Sequence, residues 1–239
     1  MTPRFIYRTA SKIPGKDVPM GSYDLSFWYS IDVKCINITQ TIDILDDKYW
    51  GIYTSNFCKN LYLENCVFSR FDAHMGVTNA TITGCTLGHQ CIRLIGHGDF
   101  IMTDTTVKSC VSSFLALRGD YGSTFEGNIT IRNCIWETPA RSLYIIAENN
   151  VGDHDFGYPC YYGKNITIDG LEIRCNKDIP AEEMALSILT DGNGTKKSMP
   201  YPYIAPESLT VSGIRADNGL KYVIAHSTEN YKDMKITEK

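Results

Sequence analysis

The sequence predicts an all-β chain wound as a right-handed parallel β-helix of about six to eight coils, with long loops in its C-terminal half. Three observations carry that reading. Six segments repeat one pattern, a small polar residue, an alternating apolar run, a turn and an apolar or thiol residue. They begin at Asn60, Asn79, Asp99, Asn128, Asn165 and Ser208, separated by 19, 20, 29, 37 and 43 residues. The period within each segment is two and the composition β-branched, so the repeated element is a strand rather than a helix. A second apolar stretch follows each turn. Two strands and a turn that restart in one orientation pair in parallel with the next repeat, and right-handed winding is the favoured hand for such crossovers.

Residues 1–25 read as a cap or attachment arm, and 26–239 as a single domain. The runs Ser26–Ile31 and Cys35–Thr39 fit one or two less regular early coils. In the six repeats, the first position after the leading residue holds Leu61, Ala80, Phe100, Ile129, Ile166 and Leu209. The third holds Leu63, Ile82, Met102, Ile131, Ile168 and Val211. Both sets face inward, and the set between them, Tyr62, Thr81, Ile101, Thr130, Thr167 and Thr210, faces out. No coil is stable alone: six to eight inward side chains contribute about 2 kcal/mol each, whereas ordering the coil costs about 20–40 kcal/mol. After Trp136 the polar, Gly-rich runs 149–157 and 190–197 and the stretch Pro200–Tyr203 read as loops.

Composition narrows the function. A net charge of −4 with mixed signs argues against a duplex nucleic-acid partner. No apolar run approaches the ~18 residues of a membrane span, and Met1–Gly21 lacks the apolar core of a signal peptide. Such a chain leaves its cell by lysis or within a larger particle, or stays cytoplasmic. The nine cysteines form no Cys-x-x-Cys, and Cys66, Cys85 and Cys134 share one repeat position, which reads as a stack of buried core thiols, with one or more disulfides as the alternative. No metal or other cofactor is expected. Asn-x-Thr sequons begin at Asn37, Asn79, Asn128, Asn165 and Asn193; the repeat itself supplies four of them. A stacked internal Asn column bonding to turn backbone accounts for their recurrence.

No standard catalytic motif is present. The outward side of the second strand is the remaining candidate. Aligning its repeats places Asp72, Arg93, Ala116 and Tyr144 in one column and His74, Ile95, Arg118 and Ile146 in the next, with Asp120 and Tyr121 just beyond. Asp72, His74, Arg93, Arg118 and Asp120 then share a polar patch, while the comparable positions Ile95, Ile146 and Leu189 are apolar. The patch has three readings. It is a solvated ion-pair ladder; a sugar groove in which Arg93 and Arg118 hydrogen-bond and Tyr121 or Tyr144 stacks; or an active site. In the last, Asp72 and Asp120 would be a glycosidase pair, or His74 the base of a lyase beside an arginine. The Arg118-Gly119-Asp120 tripeptide is treated as coincidence.

From about Ser26 to Ala225, the coil pattern resembles the right-handed parallel β-helix proteins of the pectate-lyase-like superfamily. The runs Ser69–Val77 and Leu117–Thr124 are similar to β-helix segments of phage tail or appendage proteins and of related gut-bacterial proteins. The resemblance implies a virion or extracellular part that binds or degrades a polysaccharide or surface glycan, often as a homotrimer or docked on other β-helix segments. The chain lacks a calcium-binding aspartate cluster and the lysine–arginine signature of pectate lyases, so calcium-dependent pectate cleavage is not expected. The leading expectation is a carbohydrate-active module; the alternative is a structural or adhesion subunit using the β-helix as a rigid spacer.

Overall fold

The structure, a computed structural model, describes residues 25–39, 52–55, 58–68, 71–73, 76–89, 92–109, 111–118, 125–149, 160–190 and 203–239. The described chain opens with β1 (Leu25–Trp28), β2 (Ile31–Ile36) and β3 (Ile52–Ser55). Strands then recur in triplets: β4 (Cys58–Glu64), β5 (Val67–Phe68) and β6 (Phe71–Ala73); β7 (Val77–Thr83), β8 (Thr86–His89) and β9 (Ile92–Leu94); β10 (Gly96–Thr103), β11 (Thr106–Ser109) and β12 (Ser113–Arg118). In the next repeat the first two strands fuse into β13 (Phe125–Glu137), followed by β14 (Ser142–Asn149). The remainder is β15 (Cys160–Tyr161), β16 (Asn165–Arg174), β17 (Ala185–Leu189), β18 (Tyr203–Ile204), β19 (Ser208–Ala216), β20 (Tyr222–Val223) and β21 (Lys235–Glu238), with two short 3-10 turns at Ala181–Glu183 and Glu229–Tyr231.

The protein is all-β, and its sheets are parallel. Strands β1-β3-β6-β9-β12-β14-β17-β20 form one sheet; a second, curled sheet runs β2-β4-β7-β10-β13 and returns through β11-β8-β5, with β16, β19 and β21 continuing from β13. Each regular repeat therefore holds three strands where the sequence suggests two. The extra one arises because the first apolar run bends at a turn residue and continues as a separate short strand.

That bend has a simple cause. Asn37, Asn65, Gly84, Asp104, Asn133, Gly170 and Gly213 all have left-handed φ, between 50° and 79°. Only Gly, Asn and Asp adopt this conformation readily, so their alternation at one repeat position encodes the corner. The residue after the corner returns to the interior: Cys66, Cys85, Thr105, Cys134 and Leu171 are all buried.

The predicted inward sets are matched pair by pair. Leu61, Ala80, Phe100, Ile129, Ile166 and Leu209 stand in register, as do Leu63, Ile82, Met102, Ile131, Ile168 and Val211. All are buried. Phe68, Leu87, Val107, Trp136 and Ile173 add a third buried column from the strands beyond the corner. Phe71 of the other sheet packs against Phe100 across the interior, ring centroids 6.3 Å apart, and Phe114 meets Trp136 edge-on at 5.8 Å. Cys35, Cys58, Cys66, Cys85, Cys134 and Cys175 are buried free thiols.

Candidate functional site

The most regular polar surface lies on the outward side of the curled sheet. Asp32, Asn60, Asn79, Asp99, Asn128, Asn165 and Ser208 form one side-chain ladder along it. Asn60 donates to Asp32 (2.8 Å) and Asn79 to Asn60 (3.0 Å); Asn79 accepts from the Asp99 amide (2.9 Å). Asn128 donates to Asp99 (2.8 Å), Asn165 to Asn128 (3.0 Å) and the Ser208 hydroxyl to Asn165 (2.8 Å). This corrects the expectation of an internal column bonded to turn backbone. The ladder is half-buried to exposed, and its members bond chiefly to one another. Asp32, Asn60 and Asn79 occupy it because their φ of 54–58° is left-handed, a conformation that favours Asx residues there. Two positions further along each strand, Lys34, Tyr62, Thr81, Ile101, Thr130, Thr167, Thr210 and Thr237 form a parallel outward column, half-buried where it runs from Tyr62 to Thr210.

Near one end of this face, Tyr62 stands between Lys34 and Thr81. Its hydroxyl donates to the Glu64 carboxylate at 3.0 Å, the main cause of its raised pKa. The Lys34 ammonium lies 5.7 Å from the Tyr62 ring centre, a cation–π distance. Asp32, Asn60, Leu61 and Asn79 complete a groove of about 260 Å³. Tyr62 is legible in the sequence only as the single aromatic residue of the outward column.

The second-strand patch is distributed differently. Asp72 and Arg93 are direct partners across β6 and β9, with Arg93 Nη1 3.8 Å from Asp72 Oδ2. The Asp72 side chain is fully buried, whereas that of Arg93 is 21% exposed. Burial of Asp72 follows from its sheet, in which Phe71, Asp72 and Ala73 are all inaccessible. The column continues from Arg93 to Ala116 and then to Ala147, both buried. Tyr144 is not in it: this residue pairs with Ser113 and Ser187, three positions away along β14. The displacement arises because Leu143, Ile145, Ile146 and Ala147 are all buried, so that run shows no alternation from which a register can be read. The apolar Ile95, Ile146 and Leu189, expected to face outward, are buried as well. Arg118 ends β12 and pairs with Asn149. His74, Asp120 and Tyr121 lie outside the described residues, as do residues 1–24 of the expected cap and the sequon at Asn193.

Two further polar groupings escape sequence reading because their members are far apart in the chain. Thr78 and His97 face each other at 3.0 Å, and Glu126 is the next residue in that column. Past the corner, Lys108, Glu137, Arg174, Glu172 and Arg215 alternate in sign at 2.8–3.5 Å. The Arg174 and Arg215 guanidiniums hold the Glu172 carboxyl below its usual range. Among the described residues no group of three or more His, Cys, Asp or Glu side chains is arranged to hold a metal ion. No described helix is long and apolar enough to cross a membrane.

Compared with protein-family models, curated proteins and solved structures, the chain has no significant match in any of the three.

Proposed function

We propose that the chain is a right-handed parallel β-helix of about six to eight coils that binds a polysaccharide along the outward face of its curled sheet. The observation that carries this reading is a pair of columns there, the continuous polar ladder from Asp32 to Ser208 and the Thr-rich column beside it, which only Ile101 interrupts with an aliphatic side chain. Parallel strands repeat every ~4.8 Å, so hydroxyl and amide groups recur at fixed intervals on a surface already ordered by its own hydrogen bonds. An extended polysaccharide presents hydroxyls at regular intervals too, and a pre-ordered face binds it with little loss of side-chain freedom. The likeness to phage tail and appendage segments adds a setting, a virion part that meets a cell-surface glycan.

Binding suits the described residues better than cleavage. A glycosidase acid must exchange protons with its substrate; Asp72 is fully buried and held by Arg93. The test is a glycan array together with a depolymerisation assay on capsular, teichoic and plant polysaccharides. Retention of at least one polymer without chain shortening is the expected result. Retention of none leaves only the spacer reading.

That second reading has one observation of its own. The exposed large apolar residues among those described, Tyr29, Ile31, Ile36, Ile204, Val223 and Ile236, fall in the first and last parts of the described stack. Ile236 continues the core column after Leu209, yet is 42% exposed. A spacer that docks through its ends would bury these residues, and sedimentation at rising concentration would detect the association.

A further inference from the structure

We infer that Thr78, His97 and Glu126 form a nucleophilic centre that removes O-acyl groups from a sugar chain lying along the ladder. Where the ester lies rests on the polysaccharide-binding reading; how it is broken rests on these side chains alone. Lys59, Thr78, His97 and Glu126 are register partners on the neighbouring strands β4, β7, β10 and β13. They stand close to the ladder residues Asn60, Asn79, Asp99 and Asn128, and each is exposed or half-buried, so a substrate can reach them.

A bulge brings the histidine into this column. Thr78 precedes its ladder residue Asn79 by one position, whereas His97 precedes Asp99 by two, and the register between β7 and β10 shifts just after His97. Without the extra residue Gly98 would face Thr78, and the column would hold no base. Gly98 accepts the irregular backbone there: its φ is +87°, and a Cβ on it would sit 2.3 Å from the Asn79 side-chain oxygen. Bulges re-aim side chains in this way and concentrate beside active sites. Strand β13 keeps the shifted register, so Glu126 follows His97 directly.

The order along the column matches the roles. The Thr78 hydroxyl lies 3.0 Å from His97 Nε2, within the range at which an imidazole takes a nucleophile's proton. When that hydroxyl donates, the ring proton sits on Nδ1, the position a carboxylate orients, and Glu126 flanks His97 on the side away from Thr78. Lys59, on the other side of Thr78, supplies positive charge for the oxyanion. Thr78 Oγ1 attacks the ester carbonyl and passes its proton to His97 Nε2. The bond from the acyl carbon to the sugar oxygen breaks, His97 gives the proton to that oxygen, and Thr78 is left acylated. Water then attacks the acyl carbon, its proton passing through His97 to Thr78 Oγ1 as the carboxylic acid departs. Water is the only co-reactant, and the sugar backbone stays whole.

The experiment gives the full chain p-nitrophenyl acetate and an O-acetylated polysaccharide, reads acetate release, and seeks the acyl-threonine by mass spectrometry after acid quenching. The parent should release acetate from both and carry the acyl group on Thr78. Thr78→Val, which keeps the shape and the strand propensity, and His97→Gln should each lower turnover about a hundredfold, while Thr78→Ser should retain it. Glu126→Gln should lower kcat about tenfold with KM unchanged, the mark of a positioning residue. Melting temperatures show that each variant is folded. No release by the parent, or release that survives Thr78→Val, overturns the assignment. Glycan retention is measured on the same preparations. Retention without acetate release removes this centre and keeps the binding reading; release from p-nitrophenyl acetate alone, without retention, confines the centre to small esters and removes the binding reading.

Discussion

The two large sheets of this protein are built on different rules. In the curled sheet, β10 and β13 pair through eight consecutive residues, Gly96 to Thr103, and burial alternates along both strands. In the other sheet, β6 and β9 share the single pair Asp72 and Arg93, and β6 and most of β17 are buried on both faces. A strand with one wet face announces its register through alternation; a strand covered on both faces reads as a continuous apolar run. The polar residues of the two sheets differ accordingly. The ladder residues of the curled sheet are solvent-facing and bonded to their counterparts in neighbouring repeats, while Asp72 is enclosed.

Mutations at backbone contacts should break the curled sheet most severely. A Cβ at Gly127 would lie 2.0 Å from the Gly98 carbonyl oxygen, a backbone atom that cannot step aside. Gly127→Ala should therefore cost about 3 kcal/mol, read in urea unfolding as a lower midpoint with an unchanged slope; a midpoint within error of the parent would refute the close stacking of β10 and β13.

The enclosed pair of the other sheet comes next. Arg93→Ala leaves the Asp72 carboxylate buried without its guanidinium, and a loss of about 2–3 kcal/mol is expected. The same measurement on Asn128→Ala, which removes one exposed rung of the ladder, should give only about 0.5–1 kcal/mol. If the two losses were equal, the contrast between an enclosed and a solvent-facing polar network would disappear.

Alkaline titration sharpens the comparison on the interior side of the corner. Burial pushes the Cys35 thiol up from 9.0 to about 12, and Cys85 and Cys134 up to about 11. A folded pKa above the unfolded one means that unfolding releases protons. The stability contributed by these thiols is complete below about pH 9 and is lost as pH rises through about 11 to 12. Between pH 8 and 11 the melting temperature of the parent should fall more steeply than that of Cys85→Ala; parallel curves would place the thiolate in water. Native Cys66, Cys85 and Cys134 should also react with thiol reagents only at the rate of unfolding.

Most of the curled sheet is readable from the chain. The columns headed by Leu61 and Leu63, the outward Thr column and the buried thiols follow from a period of two and from the recurrence of Asn, Asp and Gly. The third strand is harder, because the corner at Asn65, Gly84 and Asp104 reads equally well as the end of one strand or as a bend within it. Tyr144 is misplaced by three residues because its neighbours give no polar–apolar contrast. The ladder was visible as a row of Asn and Asp, but not its direction: whether an amide faces core or solvent depends on left-handed φ at Asn60 and Asn79. Lys34 and Tyr62 meet only through inter-strand register, and no local motif links them.

The spacing of the ladder bonds also governs how the molecule assembles. Asn79 reaches back 19 residues to Asn60, whereas Ser208 reaches back 43 to Asn165. Closing the longer loop costs only about 0.7 kcal/mol more, since the entropy of closure grows with the logarithm of length. Contacts of short sequence separation form first, so β4, β7 and β10 are placed to nucleate folding and β16 and β19 to add later. Pulsed amide exchange during refolding would show protection in that order. The same logarithm makes the later repeats tolerant hosts: a loop of twenty extra residues costs less than one good hydrogen bond, and the surface can be re-tooled while the pairing beneath it stays fixed.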